Sequence, residues 1–214
     1  MKTAIISVLL VVAASGCGGG GDDLASKPTP QNSSEAAPPS TTPTAEAPEA
    51  RLLKRKALKE ALVGLSDLPP GFTMDAEATE SNKYFCDYKP PYEEKLRATG
   101  SFSNDADGQY VSPVLRQFES ADQASASFAA LVKVIGRCKT DEVDGSTLHY
   151  SEMSAPRLGD GSVGVQIKVD GYTLMQNFVL SGPVIVSTGG VGVTATQVAN
   201  ILERQVDKYT AVSR

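Results

Sequence analysis

Histidine occurs once in the sequence, at His149, and cysteine three times, at Cys17, Cys86 and Cys138. A single histidine excludes zinc and di-metal motifs that need two, H-E-x-x-H among them, and no C-x-x-C spacing offers a thiolate substitute. There is also no G-x-S-x-G nucleophile elbow. The longest apolar stretch falls short of the roughly 20 residues that span a bilayer. Basic residues are outnumbered, with 20 Lys and Arg against 25 Asp and Glu and a formal net charge of -5, which argues against a nucleic-acid partner. The expectation is a protein with no catalytic residues, no metal and no cofactor. An envelope hydrolase would need ionisable residues converging in one cleft, which a sequence cannot display.

The start of the chain sets the compartment. Lys2 is followed by an apolar run from Ala4 to Ala14 and then by Ser15 and Gly16, the layout of a secretory signal over residues 1–16. Ala14-Ser15-Gly16-Cys17 resembles the bacterial lipobox, in which a diacylglycerol is joined to the cysteine thiol before cleavage. An ordinary signal peptide that contains a cysteine is the alternative. Each buried methylene contributes about 0.8 kcal/mol, so two or three acyl chains hold firmly where one is marginal. Localisation is therefore expected to be extracytoplasmic, on the outer face of the cell membrane. With Cys17 lipidated, Cys86 and Cys138 remain as an even pair in an oxidising space and are expected to form a disulfide.

Residues 17–50 are Gly, Ser, Thr, Pro, Ala and acid, with Leu24 the only large apolar residue, and are expected to be a disordered stalk. Proline stiffens such a chain, and at about 3.1 Å per residue its upper reach is on the order of 100 Å. Residues 51–214 have the size of one domain. Leu53, Ala57, Leu58, Ala61, Leu62 and Leu65 predict an amphipathic helix that ends at Asp67-Leu68-Pro69-Pro70-Gly71. Further helices are predicted over Ser120 to Arg137, where Ser120 and Gln123 suit a capping box, and over Thr194 to Tyr209. Strands are predicted at Leu96 to Phe102, Tyr110 to Glu119, Thr147 to Met153, Val163 to Val169, Thr173 to Leu180 and Val184 to Thr188. Asp170-Gly171 and Gly182-Pro183 are turn signals that fold the last three into a meander. The expected class is α+β: an antiparallel sheet of five or six strands with helices packed on one face.

The order of helix, Leu68-Pro69-Pro70-Gly71, first cysteine, strand pair, helix ending at the second cysteine, Leu158-Gly159-Asp160-Gly161, meander and closing helix resembles actinobacterial cell-envelope lipoproteins. These are related to the extracellular sensor domain of a mycobacterial serine/threonine kinase. The resemblance spans residues 51–214 and implies a sheet flanked by helices, a cleft for an unidentified ligand, and a sensing or carrier role.

Several local patterns invite chemistry and have plainer alternatives. His149 lies inside a predicted strand, which favours a strand residue over a general base. Ser103 to Gly108 places Asp105, Asp107 and Gly108 at EF-hand positions, but Ser103 and Val114 replace the terminal carboxylates, so a polar hairpin loop is expected. Gly189-Gly190-Val191-Gly192 could offer amides to an anion, or could be a turn out of the last strand. The run Arg51-Leu52-Leu53-Lys54-Arg55-Lys56 could touch anionic lipid or wall polymer, or form a solvated helix face with a Lys56–Glu60 pair. Two functions are open: a membrane-held binding module for a small, mainly apolar envelope ligand such as a lipid or wall fragment, and an adaptor that presents a surface to an envelope protein.

Overall fold

The structure is a computed structural model that describes residues 51–76, 86, 88–143 and 145–214. The expected signal peptide (1–16), the lipidated Cys17 and the stalk (17–50) lie outside the described residues. Helix α1 (Arg55–Glu60) and a 3-10 turn (Leu65–Asp67) lead into strands β1 (Thr73–Met74), β2 (Leu96–Thr99), β3 (Phe102–Asn104) and β4 (Gln109–Gln117). Helix α2 (Ala121–Arg137) is followed by β5 (Thr140–Val143), β6 (Ser146–Met153), β7 (Gly161–Val169), β8 (Tyr172–Ser181) and β9 (Val184–Val191), and helix α3 (Ala195–Ser213) closes the chain.

All nine strands of the described residues form one antiparallel sheet in the order β1-β3-β4-β9-β8-β7-β6-β5, with β2 also on β4. The expectation of five or six strands is therefore too small. One miss is β5, whose Thr-Asp-Glu-Val sequence has no apolar alternation because it is an edge strand, where charge is tolerated and protective. The predicted strand Leu96 to Phe102 is interrupted at Gly100-Ser101, although β2 and β3 keep one register along β4. Pro113 is the cause. It stands opposite this gap and has no N–H to give the ladder, and the Ser112 hydroxyl donates to the Gly100 carbonyl instead at 3.2 Å.

Helices on one face is the second correction. Successive strand residues point to opposite faces, and here both faces are covered. Phe178, Leu180 and Ile185 pack with Phe128, Leu131 and Ile135 of α2. Their neighbours Val179, Val184 and Val186 pack on the other side with Leu58 of α1 and Leu202, Val206 and Tyr209 of α3. Strand β9 is buried along nearly its whole length as a result, which explains why its sequence reads as a continuous small and β-branched run rather than an alternation.

Helix α2 starts as predicted, with Ser120 accepting from the Gln123 N–H at 3.2 Å. Helix α3 has the full reciprocal capping box of Thr194 and Gln197 and runs one turn beyond the predicted end. Helix α1 is shorter than its apolar periodicity predicts because two buried glutamines capture its flanks. The Leu53 N–H donates to Gln117 Oε1 and the Leu53 carbonyl accepts from Gln117 Nε2, at 2.8 and 2.9 Å. At the other end the Ala61 carbonyl accepts from Gln205 Nε2 at 2.7 Å and the Val63 N–H donates to Gln205 Oε1 at 2.8 Å. Backbone groups engaged in this way cannot extend the helix.

The turn motifs have structural work. Asp170 and Gly171 both have positive φ, 45° and 81°, as a two-residue hairpin turn requires. In the Leu158-Gly159-Asp160-Gly161 loop, Asp160 Oδ2 accepts from the Gly182 N–H at 2.9 Å, which fastens the loop to the β8–β9 turn. A side chain at Gly159 would collide with the Leu180 carbonyl. Near the Leu68-Pro69-Pro70-Gly71 turn, Asp67 accepts from Lys208 Nζ at 2.9 Å and from the Gly64 N–H at 2.8 Å. Burial alone would raise this carboxyl, but those bonds and the nearby Arg204 charge hold it below its ordinary value.

Candidate functional site: a polar face of the sheet

Helix α2 packs against β6, β8 and β9. On the same face, the positions contributed by β2, β3, β4 and the distal half of β9 have no described helix over them. Register assigns Arg97 and Thr99 of β2, Ser103 of β3, Tyr110, Ser112, Val114 and Arg116 of β4, Ser187 and Gly189 of β9 and Gln176 of β8 to this side. The other positions of this half-sheet carry core apolar groups such as Leu115 and Val186. The other side is mainly polar, with Val114, Ser187 and Gly189 buried and Arg97, Thr99, Ser103, Tyr110, Ser112, Arg116 and Gln176 half-buried.

Two hydrogen-bonded groups organise it. Glu94 accepts from Arg97 Nε at 2.6 Å and from Arg97 Nη2 at 2.9 Å, a bidentate pair. Arg116 Nε lies 3.2 Å from Glu94 Oε1, within ion-pair range but poorly aligned for a hydrogen bond, while its Nη1 donates to Ser187 Oγ at 2.8 Å. These side chains are 11% (Glu94), 17% (Arg97) and 18% (Arg116) exposed, so the charges are shielded yet reachable from solvent. At the β1 end, Asp75 accepts from Ser101 Oγ at 2.8 Å and from Ser103 Oγ at 2.6 Å, and Ser101 Oγ also lies 3.3 Å from the Tyr110 hydroxyl. The arrangement presents hydroxyls, an amide and an aromatic edge, which can hydrogen-bond a polar ligand across several strands. The strongly shifted groups lie elsewhere: burial raises Tyr150 and Tyr209 in the two cores.

The structure brings Cys86 and Cys138 together as a disulfide, with Cα atoms 6.0 Å apart. It ties the chain between β1 and β2 to the end of α2, and Cys86 N–H donates to Asp141 Oδ2 at 3.1 Å. Cys17 lies outside the described residues. His149 is exposed on β6 opposite Thr140 and Lys168, a strand residue as read. The Ser103 to Gly108 loop is a polar hairpin in which Asn104 Nδ2 donates to Asp107 Oδ2 at 2.8 Å. No group of His, Cys, Asp and Glu among the described residues is placed to hold a metal. Gly189 and Gly190 belong to β9 and not to a turn: at Gly190 a side chain would press on Val193 and the Tyr110 carbonyl, and Gly192, with φ of 70°, makes the turn into α3. Sequence reasoning missed the Glu94–Arg97–Arg116 group entirely, since its members become neighbours only through the β2–β4 pairing.

No family model matches the sequence, and no curated protein matches it. Among solved structures, the chain is similar to the extracellular domain of PknH from Mycobacterium tuberculosis, with 12% identity and a TM-score of 0.54 over 74% of this chain and 97% of that chain. The two share a fold. The match extends over nearly all of the PknH domain. At this identity the likeness is one of architecture. No described helix is long and apolar enough to cross a membrane.

Proposed function

We propose that the chain is an extracytoplasmic binding module, held to the outer face of the cell membrane through lipid on Cys17, that senses or carries a small envelope ligand. The observation that supports it is the half-buried polar sheet face, on a fold shared with the extracellular domain of a kinase. Such a face has hydrogen-bonding groups fixed by strand register, and binding to it orders few side chains, which limits the entropic cost. Its hydroxyl and amide content favours a wall fragment over a lipid as the ligand, because an apolar chain laid there would take groups such as the Tyr110 hydroxyl and the Gln176 amide out of water and offer them no hydrogen bond in return.

Native mass spectrometry of residues 48–214 purified from an envelope extract tests the reading. The expected result is a non-covalent added mass of a sugar or muropeptide, lost on denaturation and reduced in a Tyr110→Ala, Gln176→Ala double variant. A bare protein mass that persists after incubation with wall and lipid extracts would sink the reading and leave the adaptor role.

A further inference from the structure

We infer that the end of the domain where the chain enters from residues 1–50 is a second surface, which docks on an anionic lipid bilayer. The helix α1 region has one buried side and one basic side. Leu53, Leu58 and Ala61 are buried, while Arg51, Leu52, Lys54, Arg55, Lys56, Lys59 and Glu60 are exposed. Among the described residues Arg51, Lys54, Arg55 and Lys59 have no ion-pair partner, and Lys56 has only the exposed Glu60 at 3.8 Å. Residues 51–60 thus carry five basic side chains and one acidic one in a chain whose overall charge is -5, so the positive charge of this segment is local.

Two further observations choose the partner. Leu52 is 47% exposed and Val212 is 42% exposed, and the Arg51 N–H donates to the Ser213 carbonyl at 3.0 Å, so the backbone positions next to these two exposed apolar residues are joined at the same end of the domain. An acidic polymer would match the charge and leave Leu52 and Val212 in water. A bilayer interface takes both, with headgroup phosphates on the cations and the apolar pair at the acyl boundary. The glutamine bonds that clip the flanks of α1 hold this surface rigidly, so docking spends little ordering entropy. This surface lies on α1 and the end of α3, whereas the polar sheet face belongs to β2, β3, β4 and β9, and one can fail without the other.

Vesicle co-sedimentation of the compact unit Pro48–Arg214, which carries its own core and lacks Cys17, tests the inference without the anchor. Binding is expected to phosphatidylcholine vesicles containing phosphatidylglycerol, with none to phosphatidylcholine alone and loss at high salt. Each basic residue near a membrane surface is worth about five-fold in partition. Arg55→Gln with Lys59→Gln should therefore weaken binding roughly 25-fold, and Leu52→Ser should weaken it further. Lys133→Gln with Lys139→Gln, the same charge change at and after α2, should leave it unchanged, and circular dichroism checks that each variant is folded. Equal weakening by both double variants would overturn the inference. So would binding to polyglutamate as tight as to vesicles and indifferent to Leu52→Ser.

Discussion

Gln117 and Gln205 are each almost completely buried, and each uses both ends of its amide on one short stretch of backbone. A buried amide that satisfies one N–H and one carbonyl acts as a strand of one residue. Losing it strands two backbone groups, each costing about 1–3 kcal/mol when left without a partner. Gln205→Ala should accordingly lower the unfolding free energy by about 2–6 kcal/mol, measured as a reduced denaturant midpoint with an unchanged slope. Gln205→Leu keeps the volume and still loses both bonds, so a variant as stable as the wild type would refute the clamp. Neither role was legible in the sequence. Gln205 falls at the core-facing spacing of α3, where a polar residue reads as an interruption of the stripe, and its partners lie more than 140 positions away.

At the scale of elements, the disulfide is the covalent link between the segment before β2 and the end of α2. Cys86 and Cys138 are 52 residues apart, and closing a loop of that length contributes about 4 kcal/mol on the chain-entropy model. The Cys86→Ala, Cys138→Ala variant should unfold at a markedly lower denaturant concentration, and adding reductant should shift the wild type toward it while leaving the variant unmoved. Local signals served well for the long elements. The caps of α2 and α3, the Asp170-Gly171 turn and the three central strands could be read from residues because each is decided within a few positions. Partner-dependent elements could not. The ends of α1 are set by distant glutamines, β5 by its edge position, and the gap between β2 and β3 by a proline on the neighbouring strand. The candidate site belongs to this second class. Arg97 and Arg116 lie 19 positions apart and meet only through register.

At the largest scale, the sheet separates the described apolar clusters, with Tyr150 in the cluster under α2 and Tyr209 among those on the α3 side. Burial pushes Tyr209 up to about 12, a Ser213 contact offsetting part of it, and it raises Tyr150 still further, helped by the Asp141 charge. Both phenols are thus held neutral in the folded state. For a group raised on folding, the stabilisation is complete below the unfolded value, 10.0 for tyrosine, and is lost as pH climbs toward the folded value. The sheet shared by the cores makes their loss cooperative. Alkaline titration should show the tyrosinate signals of Tyr150 and Tyr209 appearing together with the loss of circular dichroism above about pH 10. A tyrosinate signal from either core in a fully folded protein would contradict the coupling.

The glutamine clips also decide how the domain meets a mechanical load. A pull along residues 1–50 enters at Arg51 and is borne first by its bond to Ser213, then by the two bonds between Leu53 and Gln117. These few contacts yield in sequence, whereas the ladders of β4, β9 and β8 are pulled as a block. Tension applied through residues 1–50 would peel α1 and its cations from the domain while the nine-stranded sheet, and the polar face it displays, kept their shape.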